Sequence, residues 1–211
     1  MTDEKGYIQF RCEWERASAP AGPLVAELIE VRNHLRGLGL IGVYPNGIGF
    51  GNVSARLTGH GFVISGTATG GVQSAGPEHF TEVVWADVAA NALGCRGPVA
   101  ASSESLSHAA VYGAEPAAGT VIHVHHLRMW EELRGALPTT DPQAEAGTPA
   151  MADAIAVLLR AGVPDGLFVM GGHREGLMAF GRTTIEACER LLTAWSRTAS
   201  AGRGHAAPHS P

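Results

Sequence analysis

The stretch Thr120-Val-Ile-His-Val-His-His126 constrains this chain more than any other. It reads as a buried strand, which puts a sheet at the centre of the fold, and side chains alternate between faces along a strand. His123 and His125 therefore share one face, while Ile122 and Val124 take the other. Two imidazoles converging from a rigid strand are a ready pair of metal ligands, suited to zinc, iron, cobalt or manganese. Core or surface histidines satisfied by hydrogen bonds are the alternative, and the spacing alone does not separate the two. His126 falls on the opposite face if the strand continues, so it stays outside the pair.

At 211 residues the chain is long enough for one domain with a full core and short for two. It has no apolar run of membrane-spanning length, so a soluble protein without a membrane partner is expected. The opening Met-Thr-Asp-Glu-Lys-Gly lacks the basic and apolar segments of a secretory signal. Cys12, Cys95 and Cys188 are odd in number and lack ligand spacing, which fits reduced thiols in a cytoplasmic protein. A net charge of -5 with no basic stripe argues against nucleic acid. Much of the glycine, 28 residues in all, falls between 37 and 76, where turns and close backbone approaches are expected.

Residues 1–20 read as a flexible N-terminal arm, 21–198 as a single domain, and 199–211 as a disordered tail carrying His205 and His209. Within the domain, Leu24, Leu28, Val31, Leu35 and Leu38 recur at helical spacing, with Gly39 as the stop. Residues 49–57 and 61–65 predict two strands, and 81–84 and 88–93 two more. A helix over 103–112, a strand over 119–125 and a short helix over 127–133 follow. Pro149 starts another helix after a loop. A hairpin over 167–170 and 176–180 precedes a last helix over 183–196, with Ile185, Ala187, Cys188, Leu191, Leu192 and Trp195 inward. Strands that follow one another without helices between them point to an α/β domain with an antiparallel or mixed sheet.

A third ligand candidate is His173, in Gly171-Gly-His-Arg-Glu-Gly176, where one hairpin strand gives way to the next. Ser102-Ser-Glu104 stands at the start of a predicted helix, with Ser102 as a favoured cap. Such a start needs no function, yet its hydroxyls and free N–H groups also suit an anion such as phosphate. Glu104, placed beside a metal, has the chemistry of a general acid or base. Gly49-Phe-Gly-Asn-Val-Ser54 and Ile64-Ser-Gly-Thr-Ala-Thr-Gly70 are either phosphate cradles or plain turns. Neither is a Walker or Rossmann pattern.

In order, Gly51-Asn-Val-Ser54, Gly61-Phe-Val-Ile-Ser-Gly-Thr67 and Ser102-Ser-Glu104 with His108 and Tyr112 behind it resemble the class II aldolase/adducin family. Val121-Ile-His-Val-His125, Gly147-Thr-Pro149 and Gly172-His173 continue the resemblance, which spans about residues 24–197. It implies an αβα sandwich around a mixed, mostly antiparallel sheet, in a homotetramer with active sites between subunits. It further implies His123, His125 and His173 as ligands of a divalent metal, zinc ahead of iron, manganese or cobalt, and Glu104 as the acid/base. Asn52, Ser102, Ser103 and Thr67 are the implied phosphate ligands. The implied activity is a lyase acting on a small phosphorylated hydroxy-carbonyl compound, with epimerase, dehydratase or iron oxygenase chemistry as alternatives on the same metal. An inert, adducin-like assembly domain is disfavoured because all three histidines and the glutamate are kept. The family's proton-donor tyrosine has no counterpart between Arg128 and Gly147, where Asp141, Glu145 or the nearby His126 are the substitutes.

Overall fold

The computed structural model describes residues 10–59 and 61–201. The strands among them are β1 (Arg11–Arg16), β2 (Gly42–Val43), β3 (Gly49–Phe50), β4 (Asn52–Arg56), β5 (Phe62–Ser65), β6 (Phe80–Asp87), β7 (Ala92–Gly97), β8 (Thr120–His125), β9 (Leu167–Val169) and β10 (Gly176–Gly181). The α-helices are α1 (Pro23–Gly37), α2 (Ser105–Ala114), α3 (Leu127–Leu133), α4 (Pro149–Ala161) and α5 (Thr184–Ala201).

Eight strands form one sheet in the order β1-β7-β6-β5-β4-β8-β10-β9, and β2 pairs with β3 as a separate hairpin. Only β1 and β7 run parallel; every other neighbouring pair in the sheet is antiparallel. The expected mixed, mostly antiparallel sheet is present, with helices on both faces. Alternation along the strands divides the core in two. Ile64, Val121 and Met178 pack with Leu106 and Val111 of α2 and with Met151 and Ile155 of α4. Val53, Val63, Ile122 and Val124 pack on the other side with Leu28 and Leu35 of α1, Met129 of α3 and Leu191 of α5.

The structure corrects four expectations. The arm proposed over residues 1–20 is not loose at Arg11–Arg16, which pairs in register with β7, Cys12 opposite Leu93 and Trp14 opposite Cys95. Cys12 and Trp14 alternate with charged residues, the period of a half-buried edge strand, and the Trp14 indole donates to the Gly97 carbonyl at 2.9 Å. Residues 1–9 lie outside the described set, as do His205 and His209, while α5 runs through 199–201 where the tail was expected. Residues 88–91 form a turn rather than a strand: Ala90 N–H donates to the Asp87 carboxylate at 3.0 Å, and Asn91 turns left-handed at φ 49°. Ile185 faces out, 67% exposed, whereas Ala187, Cys188 and Leu191 are buried. It stands about 100° round α5 from the buried Thr184.

Candidate metal centre

β8 lies between β4 and β10, deep in the sheet, so its two histidines come from backbone held on both sides. His123 stands opposite Asn52 on β4 and Met178 on β10, and His125 opposite Gly176. His173 arrives from the turn between β9 and β10. That turn is pressed against the loop before α4: a Cβ on Gly172 would run into the Ala144 carbonyl. The glycine therefore permits the approach that carries His173 inward. One ligand atom from each of His123, His125 and His173 lies within 4.8 Å of the others.

Hydrogen bonds assign the protons on the first two rings. The Nδ1 of His123 sits 3.0 Å from the Leu177 carbonyl, which only accepts, so Nδ1 carries the hydrogen and Nε2 a lone pair. Tyr44 donates its single proton to the Glu175 carboxylate at 2.7 Å, and its oxygen then accepts from His125 Nδ1 at 2.8 Å. The Nε2 of His125 is left bare as well, 3.1 Å from that of His123. Two lone pairs at that separation repel unless a cation lies between them. The Nδ1 of His173 is buried with no hydrogen-bond partner. Two facing lone pairs and an orphaned imidazole nitrogen fit a divalent metal, whose ligand nitrogens stand roughly 3.4 Å apart on tetrahedral zinc.

Glu104 reaches the same point. Its Oε2 is 3.9 Å from His123 Nε2 and 4.0 Å from His173 Nδ1, and its side chain keeps 17% exposure. Burial raises its carboxyl above the ordinary range, with the His173 charge and the Ser107 hydrogen bond pulling the other way. The local backbone differs from expectation. α2 begins at Ser105, not Ser103, with Glu104 as N-cap and no side-chain cap. Ser105 and Leu106 donate to the carbonyls of Ser102 and Ser103, at 3.0 and 3.2 Å. Those N–H groups are engaged within the turn, which leaves the two hydroxyls to meet a ligand.

A pocket of about 500 Å³ collects all eight residues singled out in the sequence: Asn52, Thr67, Ser102, Ser103, Glu104, His123, His125 and His173. Asn52 donates to the Ser102 hydroxyl at 3.4 Å. Behind it, His108 Nε2 donates to the Asn52 carbonyl oxygen at 2.6 Å, and Ser54 bridges His108 Nδ1 and the Tyr112 hydroxyl at 2.7 and 2.8 Å. This buried chain turns the amide so that its N–H₂ end faces the pocket. Beneath the loop over residues 66–71, the fully buried Arg32 donates to the carbonyls of Thr69 and Gly70 at 2.6 and 3.3 Å. Across planar trans peptides, the N–H groups of Gly70 and Gly71 then point away from Arg32. Lys and Arg are absent from the pocket lining among the described residues, and Arg56 is turned to the carbonyls of Tyr112 and Ala118. Asp141, Glu145 and His126 do not line it either. His126 instead caps α3, accepting from Met129 N–H at 3.1 Å.

Burial holds His108, His123 and His125 neutral. The His108 imidazole is pushed down to about 3, and His125 likewise to about 3, with repulsion from His173 adding to its burial. His123 is also lowered, by burial first and then by its histidine neighbours. Neutral imidazole is the form that binds metal. Between the ordinary 6.5 and about 3 the unfolded chain takes up protons that buried His108 refuses, so stability falls as pH drops through that window. Each such imidazole contributes up to about 1.4 kcal/mol per pH unit. Glu104 opposes this, because its raised carboxyl is least costly to bury once protonated. Urea midpoints of metal-free protein should decline from pH 6.5 to pH 4; a flat profile would contradict the assignment of His108 as neutral and buried.

Sequence reading missed Tyr44, Phe50 and Glu175. Phe50 stacks on His125 at 5.4 Å between ring centroids, and Tyr44 packs on Phe50 at 4.5 Å. Burial, helped by the Glu175 hydrogen bond, raises the Tyr44 phenol, so it keeps its proton. The signal was Pro45-Asn46-Gly47, a hairpin turn whose arms β2 and β3 form the pocket wall.

The family model for the Class II Aldolase and Adducin N-terminal domain matches residues 46–196. Solved structures of similar fold include L-fuculose-1-phosphate aldolase from Thermus thermophilus, with TM-score 0.63, 23% identity, and coverage of 89% of this chain and 98% of that one. YgbL from Klebsiella pneumoniae, a putative aldolase/epimerase/decarboxylase, gives 0.65 at 18% identity over 88% and 92%. A sugar-phosphate aldolase from Thermotoga maritima gives 0.62 at 15% over 89% and 97%. At such identities the structural likenesses speak to fold alone. No curated protein matches the sequence.

Proposed function

The chain belongs to the family of class II aldolases and adducin N-terminal domains, and on that premise we propose that it is a metal-dependent lyase. It makes or breaks a C–C bond in a small, phosphorylated hydroxy-carbonyl compound of sugar-like type. The observation that carries this reading is the convergence of three histidines and a carboxyl whose acidity burial weakens, beside a set of uncharged hydrogen-bond donors. An inert assembly role would have no use for lone pairs held 3.1 Å apart.

His123, His125 and His173 hold the metal, with zinc the first choice for an all-imidazole set. When bound, it supplies Lewis-acid stabilisation of negative charge on the substrate's oxygens. Glu104, its carboxyl raised by burial, accepts a proton from the substrate and returns it. Asn52, Ser102, Ser103 and Thr67 hold the phosphate through neutral donors, so its binding is modest and reversible. The family pattern of a homotetramer with active sites between subunits supplies the remaining proton donor, since this chain's own pocket lacks Asp141, Glu145 and His126. Exposed Val43 and Ile48 at the pocket rim, 43% and 61% accessible, suit such an interface. Three free cysteines fit a cytoplasmic location, and no helix among the described residues is long and apolar enough to cross a membrane.

The test is an assay of metal-loaded protein for aldehyde release from a panel of phosphorylated and unphosphorylated hydroxy-carbonyl compounds. Inorganic phosphate should compete with substrate, and Ser103→Ala should raise KM for phosphorylated substrates about 10- to 100-fold, what losing one hydrogen bond to a charged group costs. If KM is unchanged, or only unphosphorylated compounds react, the phosphate assignment is wrong.

A further inference from the structure

We propose that Tyr44 and Glu175 are positioning residues for His125, forming a carboxylate–phenol–imidazole chain that fixes which ring nitrogen faces the pocket and strengthens it as a metal ligand. This rests on the metal reading above. The chain has one proton arrangement: Glu175 only accepts, Tyr44 has one hydrogen to give it at 2.7 Å, and the phenol oxygen takes the Nδ1 hydrogen of His125 at 2.8 Å. A metal ligand's distal nitrogen, when tied to an anion, donates more electron density through the near one. The three histidines differ in this respect. His123 has a backbone carbonyl behind it, and the Nδ1 of His173 is itself the nitrogen that faces the site, beside Glu104. His125 is the one of the three whose outer nitrogen leads to a carboxylate.

Placing that carboxylate requires an uncommon backbone. Glu175 is left-handed at φ 72°, one of three non-glycine residues with positive φ among those described. Such a conformation costs roughly 1–2 kcal/mol for an ordinary L-residue. The turn is held there by His126 N–H donating to the Glu175 carbonyl at 2.9 Å. Tyr44 comes from an unrelated segment. Its N–H donates to the Ile48 carbonyl and its carbonyl accepts from Gly47 N–H, both at 2.9 Å, which closes the β2–β3 hairpin. The same hairpin lays Phe50 on the His125 ring, so one element sets both the plane and the tautomer of that ligand. Two segments 131 positions apart in sequence thus converge on the far side of one imidazole.

The test compares wild type, Tyr44→Phe, Glu175→Gln and the double variant, reading zinc affinity by chelator competition and the visible spectrum of the cobalt-loaded protein. Phenylalanine removes the hydroxyl and keeps the ring against Phe50. Tyr44→Phe should weaken zinc about 10–100-fold and shift the cobalt bands. Glu175→Gln, still able to accept from the phenol, should weaken it less, in the same direction. The double variant should bind no more weakly than Tyr44→Phe alone, because Glu175 acts through the phenol. A merely structural hairpin contact would lower the metal-free unfolding midpoint and leave the cobalt spectrum unmoved. Wild-type binding with Tyr44→Phe within twofold of it, or fully additive losses, would overturn the proposal while sparing the metal site. Should Tyr44→Phe fail to fold, wild-type affinity in Glu175→Gln would overturn it equally. Failure of the wild type to take up zinc or cobalt would overturn both readings.

Discussion

His123→Ala and His125→Ala should each abolish metal binding, in a protein expected otherwise to carry about one divalent ion per subunit, as a three-ligand catalytic site does. Both side chains leave the same face of a strand paired on both edges, and their bare Nε2 atoms already stand 3.1 Å apart. Neither ring can be replaced from elsewhere, because the other neighbours at this point are His173 and the Glu104 carboxylate, about 4 Å off. His173→Ala should weaken binding as well, since it removes the third of the three ligand nitrogens. Elemental analysis after reconstitution with zinc, iron, manganese and cobalt is the measurement. A wild-type protein without metal after all four would remove the basis of the proposed chemistry.

Glu104→Gln should leave metal content and fold intact and lower turnover by about two to four orders of magnitude, the range for losing a general acid or base. The amide has the same shape, and α2 does not depend on the carboxylate for capping, since Glu104 as N-cap makes no side-chain cap hydrogen bond. The loss should appear in kcat more than in KM, because the carboxyl sits against the histidine nitrogens and outside the Asn52–Ser102 contact. Near-normal turnover in a metal-loaded variant would reduce Glu104 to an ordinary acid at the head of a helix.

How much of this was readable beforehand differs by residue. His123 and His125 were legible because strand alternation is a strictly local rule, and Ile122 and Val124 do pack on the face opposite to Val121. Asn52, Thr67, Ser102, Ser103 and Glu104 were legible as an ordered set of short segments resembling a family, and they do line one pocket. β1 was overlooked because Pro and Gly after residue 18 masked the two-residue period before it. Ile185 was misplaced because one apolar side chain at a helix start fits more than one face. The start of α2 was placed two residues early because serine is so common a cap, whereas here Ser102 and Ser103 spend their carbonyls in a preceding turn.

Local periodicity therefore determined most of the elements and the shared face of the two histidines, while the order of the strands in the sheet came from the tertiary structure. Tertiary structure alone decided what stands behind each of them. Tyr44 and Glu175 meet at His125 although they are 131 positions apart, and His108 reaches Asn52 across 56. Neither pairing follows any repeat in the chain, since each depends on how a hairpin, a tight turn and a helix pack around β8. Side-chain spacing is a property of one segment, but the proton on a ring nitrogen depends on whichever acceptor the fold brings to its other side.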